Sequence, residues 1–144
     1  MEQLPAGYTL HAAIPELADY LRLRAEAGLT PRDEAAARAG LPNSMAGVIV
    51  RKDGEAVGMG RAIGDGGLFY QIVDIAVLPA HQGLGLGKAI MGALMETLRG
   101  AIPGTAYVSL IADGDARHLY ARYGFEPVAP KSIGMAMWLE PGGD

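Results

Sequence analysis

The stretch with the clearest chemical content is Gln82-Gly83-Leu84-Gly85-Leu86-Gly87-Lys88, set between a strand that ends at Val77-Leu78-Pro79 and a helix that follows. A glycine-rich turn in that position leaves consecutive backbone N–H groups free at the positive end of a helix dipole, where an anion, most often a phosphate, binds. The glycines carry no Cβ, so a ligand can approach the backbone closely. Two familiar phosphate motifs fail here. A P-loop would need glycine where Gln82 stands and Ser or Thr where Ala89 stands. A dinucleotide fingerprint ends on Lys88 or Ile90 in place of its last glycine, and no β-α-β unit opens the chain. Lys88 reads either as a partner for phosphate or as a solvated first-turn lysine.

The other reactive groups are few. There is no cysteine, hence no thiolate nucleophile, no disulfide and no Cys-ligated zinc. Three histidines, including His81 and His118, are scattered without ligand spacing, so no metal site is expected. Asp74 is the carboxylate of the strand before the glycine turn, and Tyr120 lies on an apolar helical stripe with Ala116, Leu119 and Tyr123. Taken alone, Tyr120 is a core tyrosine.

Several elements must position these groups. A first strand is expected over 8–12, then a helix from Ile14 with Pro15 in its first turn and Gly28 as its stop. Thr30-Pro31 would cap and open a second helix ending at Gly40. Strands are expected over 45–52 and 55–63, joined by Asp53-Gly54, a hairpin signal. The most strand-like run is 68–78, stopped by Pro79. A helix through Leu98, a strand over 106–111, a helix over 113–123 and strands over 125–128 and 133–139 complete the chain. Three strands joined by turns imply antiparallel pairing, and the later β-α-β crossover implies a parallel pair. Six glycines between Gly54 and Gly67 are expected to shape the hairpins. The arginines at 22, 24 and 38 are expected to face solvent from their helices.

Composition bounds the class. With 144 residues, 50% hydrophobic and 19% charged, the chain reads as one α+β domain over 1–144. A net charge of −4 argues against nucleic acid as partner. No apolar run approaches the ~20 residues needed to cross a bilayer, and the N-terminus does not read as a signal peptide. A cytoplasmic protein with no membrane partner is the expectation.

Gln82-Gly83-Leu84-Gly85-Leu86-Gly87 resembles the Gln/Arg-x-x-Gly-x-Gly/Ala motif of the GNAT superfamily of N-acetyltransferases. Leu119-Tyr120-Ala121-Arg122-Tyr123-Gly124-Phe125 is similar to the family's L-Y-x-x-x-G-F segment, and the element order matches over nearly the whole chain. The resemblance implies a three-layer α/β/α arrangement, a mixed central sheet flanked by helices, and acetyl-CoA as co-substrate. The amides of Gln82, Gly83, Leu84, Gly85, Leu86, Gly87 and Lys88 would cradle its pyrophosphate. Ile75, Ala76 and Val77, on a strand splaying from the one that begins at Ala106, would take the pantetheine arm. Tyr120 would donate a proton to the departing sulfur: a thiol of pKa about 8.5 leaves more easily with a phenol of pKa about 10 beside it.

The chain departs from the family at two positions. Asp113 stands where relatives place an asparagine that contacts the cofactor. Gln71 stands where many have Glu or His, and an amide cannot accept a proton. Asp74 is then either the base or a strand-end carboxylate paired elsewhere, and a bulge would change the face it points to. Residues 28–43 would border the cleft for the acceptor, a small-molecule or peptide amine, with Phe69 and Tyr70 either lining it or packing. The resemblance also implies a homodimer through the sheet edge or C-terminal strands. Other readings are transfer of a longer acyl group, a non-catalytic CoA- or acyl-CoA-binding regulatory domain, and a nucleotide-binding module.

Overall fold

A computed structural model describes residues 4–142. The chain runs β1 (Tyr8–His11), α1 (Leu17–Glu26), α2 (Glu34–Gly40), β2 (Ala46–Lys52), β3 (Glu55–Gly64), β4 (Phe69–Val77), α3 (Leu86–Ala101), β5 (Tyr107–Ser109) and α4 (Arg117–Ala121). The strands form one mixed sheet in the order β1-β2-β3-β4-β5. The first three pairings are antiparallel and β4–β5 is parallel, as the turns and the crossover imply. This is the expected α+β fold.

Side-chain alternation assigns the two faces of the sheet. At Gly60 of β3 a Cβ would stand 2.6 Å from Ile90 and 3.0 Å from Leu94, both on α3. The next residue, Arg61, points the other way, to α1, where its guanidinium lies 5.5 Å from the Tyr20 ring centroid. α1 and α3 therefore cover opposite faces. Ile90, Met91, Leu94 and Leu98 form the buried stripe of α3, as their spacing requires. Gly58 and Gly60 lie inside β3, within the strand expected over 55–63, and make room for Ile90. Past Leu98, no described residue is buried.

Three helix starts differ from the sequence pattern, each for a local reason. α1 begins at Leu17, and Pro15 is buried in an extended segment before it. That segment crosses β2 so closely that a Cβ on Gly47 would stand 2.7 Å from the Ala13 carbonyl oxygen. α2 begins after Asp33, not at Thr30, because the Thr30 carbonyl that would accept the first helical bond is taken by the Arg24 guanidinium. The segment expected as one helix over 113–123 is a 3-10 turn, Gly114–Ala116, followed by the short α4.

The two C-terminal strands do not form. Residues 125–139 pair with nothing in the sheet. Pro127 and Pro130 remove ladder donors, and β5 is three residues long, so it offers little edge to pair with. The alternating Ile133, Met135, Met137 and Leu139 are left exposed, each by 71% or more.

Candidate active site

The turn after β4 takes a shape that glycine permits. Gly83 and Gly85 have φ of 80° and 83°, a region costing other L-residues roughly 1–2 kcal/mol, and no heavy atom lies within 4 Å of where their Cβ would be. Gly85 is the N-cap of α3 and accepts the N–H of Ala89 at 3.1 Å. The N–H groups of Gly83, Leu84, Gly85, Leu86 and Gly87 have no hydrogen-bond partner among the described residues. Five donors at the N-terminus of a 16-residue helix, with open space before them, fit an anionic diphosphate.

Gln82 plays another part. Its N–H donates to Pro79 at 3.3 Å, and its side-chain amide donates to the Val77 carbonyl at 3.0 Å. It staples the turn to the end of β4, so the row of free donors starts at Gly83. Gly87 has an ordinary φ; a Cβ there would stand 3.6 Å from Leu119, so this glycine also seats α4. The Lys88 carbonyl accepts the Tyr123 hydroxyl at 2.6 Å, tying the segment after α4 to the first turn of α3. His81 Nδ1 lies 2.6 Å from the Tyr8 hydroxyl and anchors the base of the turn to β1. Neither tyrosine contact was legible as a motif.

β4 and β5 pair only over Phe69–Gln71 and Tyr107–Ser109. From Ile72 onward β4 keeps β3 on one side, with Ala76 opposite Met59 and Val77 opposite Gly58, and has no ladder partner on the other among the described residues. Ile75, Ala76 and Val77 thus line one wall of a wedge that opens toward the glycine turn. Tyr70 is buried as packing, whereas Phe69 is exposed with its ring centroid 6.0 Å from that of Tyr107.

Tyr120 sits half-buried on α4 beside a cleft of about 380 Å³ that Leu110, Ala112, His118, Phe125 and Val128 also line. Burial, and then the nearby Asp113 carboxylate, push its phenol pKa above the ordinary 10.0. The group stays protonated at neutral pH and can donate. Asp113 makes no side-chain capping bond to the turn that follows it.

Asp74 is the bulged residue of β4. Asp74 and Ile75 together face the single residue Gly60, and Asp74 has φ of 59°. The bulge aims its carboxylate at the α1 face, where it is paired. Oδ1 accepts from Arg24 Nη1 at 2.9 Å and from the Tyr20 hydroxyl at 3.1 Å, while Oδ2 accepts from Arg61 Nε at 2.8 Å. Both carboxylate oxygens are engaged. Arg24, expected in solvent, is one of its partners. Arg22 is half-buried too, beside Asp19, Glu26 and Glu55, whereas Arg38 is exposed as expected. Arg61 was missed, although its place in the inward alternation Val57, Met59, Arg61, Ile63 marks a charge on a buried face.

A mixed sheet that splays beside a glycine-capped helix is the frame on which acyl-CoA chemistry is built in one large class of proteins. The chain belongs to the Acetyltransferase (GNAT) family, whose pattern it matches over residues 13–125. It is similar to a solved protein of unknown function, a probable acetyltransferase from methicillin-resistant Staphylococcus aureus. The two are 42% identical, with 92% of this chain and 99% of that one covered and a TM-score of 0.86. It is also 41% identical over 69 residues to an uncharacterized N-acetyltransferase, ycf52, of Porphyra purpurea, covering 48% of this chain and 38% of that one. A chloroplastic serotonin N-acetyltransferase of rice is 36% identical over 85 residues, covering 59% and 42% of the two chains. The matches thus span under half the length of those two relatives. Among the described residues no helix is long and apolar enough to cross a membrane, and no cluster of three His, Asp or Glu side chains could hold a metal ion.

Proposed function

We propose that this chain is an N-acetyltransferase that moves an acetyl group from acetyl-CoA directly to a primary amine. The observation that carries this reading is the run of five unpartnered N–H groups, Gly83 to Gly87, at the head of α3 beside the open edge of β4. GNAT proteins typically use acetyl-CoA, which when bound supplies an acyl thioester already activated toward amines. Gly83 to Lys88 would hold its pyrophosphate, and the free edge of Ile75, Ala76 and Val77 its pantetheine arm. Tyr120 would donate its proton to the sulfur as the C–S bond breaks. Asp74, engaged on both oxygens, holds the bulge in place, and the attacking amine would lose its proton to solvent. With no cysteine in the chain, direct transfer needs no acyl-enzyme.

The test is calorimetric titration with acetyl-CoA, followed by a screen of amines for thiol release. Binding together with release supports the proposal, and absence of binding overturns it. The paired state of Asp74 and the amide of Gln71 favour a second reading, a CoA-binding regulatory domain, which binding without release from any amine would support. The exposed alternation from Ile133 to Leu139 and the unpaired outer edge of β5 are where a second copy would join.

A further inference from the structure

The charge cluster under α1 does not balance. Arg24 and Arg61 share one carboxylate, Asp74, and the three side chains are 12%, 12% and 5% exposed. Two guanidiniums and one carboxylate leave one positive charge in a nearly dry place, where an unmatched charge is costly. Tyr20 cannot supply the missing negative charge as a phenolate. Burial and the adjacent Asp74 raise its pKa above 10.0, against the pull of the two guanidiniums.

The two arginines differ in what they have left to give. Arg24 donates Nη1 to Asp74 and both Nε and Nη2 to the Thr30 carbonyl, so each of its nitrogens is engaged. Arg61 donates Nε to Asp74 and Nη1 to Ser44 Oγ at 2.7 Å. Its Nη2 makes no hydrogen bond among the described residues and is not sealed from the surface. A guanidinium offers donors in a rigid fork, and stacking on the Tyr20 ring fixes this one in place. Asp74 lies three residues beyond Gln71, the last β4 residue paired with β5, so the cluster borders the wedge on the face opposite α3.

We propose that Arg61 is an anion-binding residue that takes a carboxylate or phosphate on the acyl acceptor, so that the acceptor is an amine bearing its own negative charge. The anion site stands on the cluster alone; only the word acceptor rests on the acyl-transfer reading. A bidentate or charge-assisted contact of this kind is short and directional, and it would fix the amine's approach to the wedge.

Two experiments separate these layers. The first needs no turnover: ligand-observed NMR with N-acetylglycine, N-acetylglycinamide and N-acetylaminoethyl phosphate. The charged ligands are expected to bind at least about tenfold more tightly than the amide, with the order of the two charged ligands identifying the preferred anion. Arg61→Gln should erase the difference, whereas Arg38→Gln, at an exposed arginine, should keep it. Equal binding of the amide, or a preference that survives Arg61→Gln, overturns the proposal. If Arg61→Gln does not fold, Arg61→Lys keeps the charge and loses the fork, and an undiminished preference there likewise overturns it. The second experiment measures thiol release from acetyl-CoA with glycine, glycinamide and aminoethyl phosphate. A lower KM for the charged amines supports the acceptor assignment, and a lower KM for glycinamide overturns it. No release with any amine overturns acyl transfer and leaves the anion site to be judged by the NMR result.

Discussion

Tyr120 holds its proton because its neighbourhood disfavours a second negative charge. With burial and Asp113 both raising its pKa, the protonated acid persists as pH climbs, so any alkaline fall in kcat due to Tyr120 is expected above pH 10.0. Asp113→Asn removes one raising influence and should move that limb downward; a pH–kcat profile of both proteins checks the direction. Tyr120→Phe should lower kcat by about 10²-fold or more while calorimetry finds acetyl-CoA affinity nearly unchanged. Gly85→Val places a branched side chain at φ of 83°, in the space before the free N–H groups. It should abolish acetyl-CoA binding in the same assay while circular dichroism shows a folded chain. The glycine turn was legible in the sequence because positive φ and close approach select glycine locally. The pairing of Arg24 with Asp74 was not, since those residues are 50 positions apart and nothing in either neighbourhood names the other.

The elements are held in place by a few close approaches. Gly47→Ala would press a methyl group against the backbone of Ala13 and Ile14, where no side chain can swing aside. It should destabilise the protein by roughly 1–3 kcal/mol in urea denaturation. Tyr123→Phe removes the hydroxyl that reaches Lys88 of α3 from the segment after α4, at a cost of about 1 kcal/mol in the same measurement. Existence and order of the elements up to β5 followed from periodicity and turn residues. Their starts did not, because Arg24 competes for the Thr30 carbonyl and Pro15 is used in a crossing rather than in a helix turn. The C-terminal alternation reads as a strand because period two records which side chains agree, not whether a partner edge exists to receive them.

At the scale of the whole molecule, that unpaired edge carries its own expectation. If a second copy covers β5 and the 133–139 segment, sedimentation should report twice the monomer mass, and Met137→Lys at an exposed position should return it to monomer. A monomeric wild type would remove the assignment. A different consequence follows from the burial map, in which every described residue after Leu98 keeps some contact with water. β5 and α4 are joined to the rest by three ladder positions, by the docking of α4 on α3 and by half-buried side chains such as Val108 and Leu110 that pack on the core. Such a unit opens on its own, at a free energy well below global unfolding. Amides over 106–125 should therefore exchange with deuterium faster than those of β2 and β3. A ligand lodged in the wedge touches both parts, so it acts as mortar: at a hundredfold excess over Kd it adds about 2.7 kcal/mol to the cost of opening. Acetyl-CoA should thus slow exchange in β5 and α4 most of all.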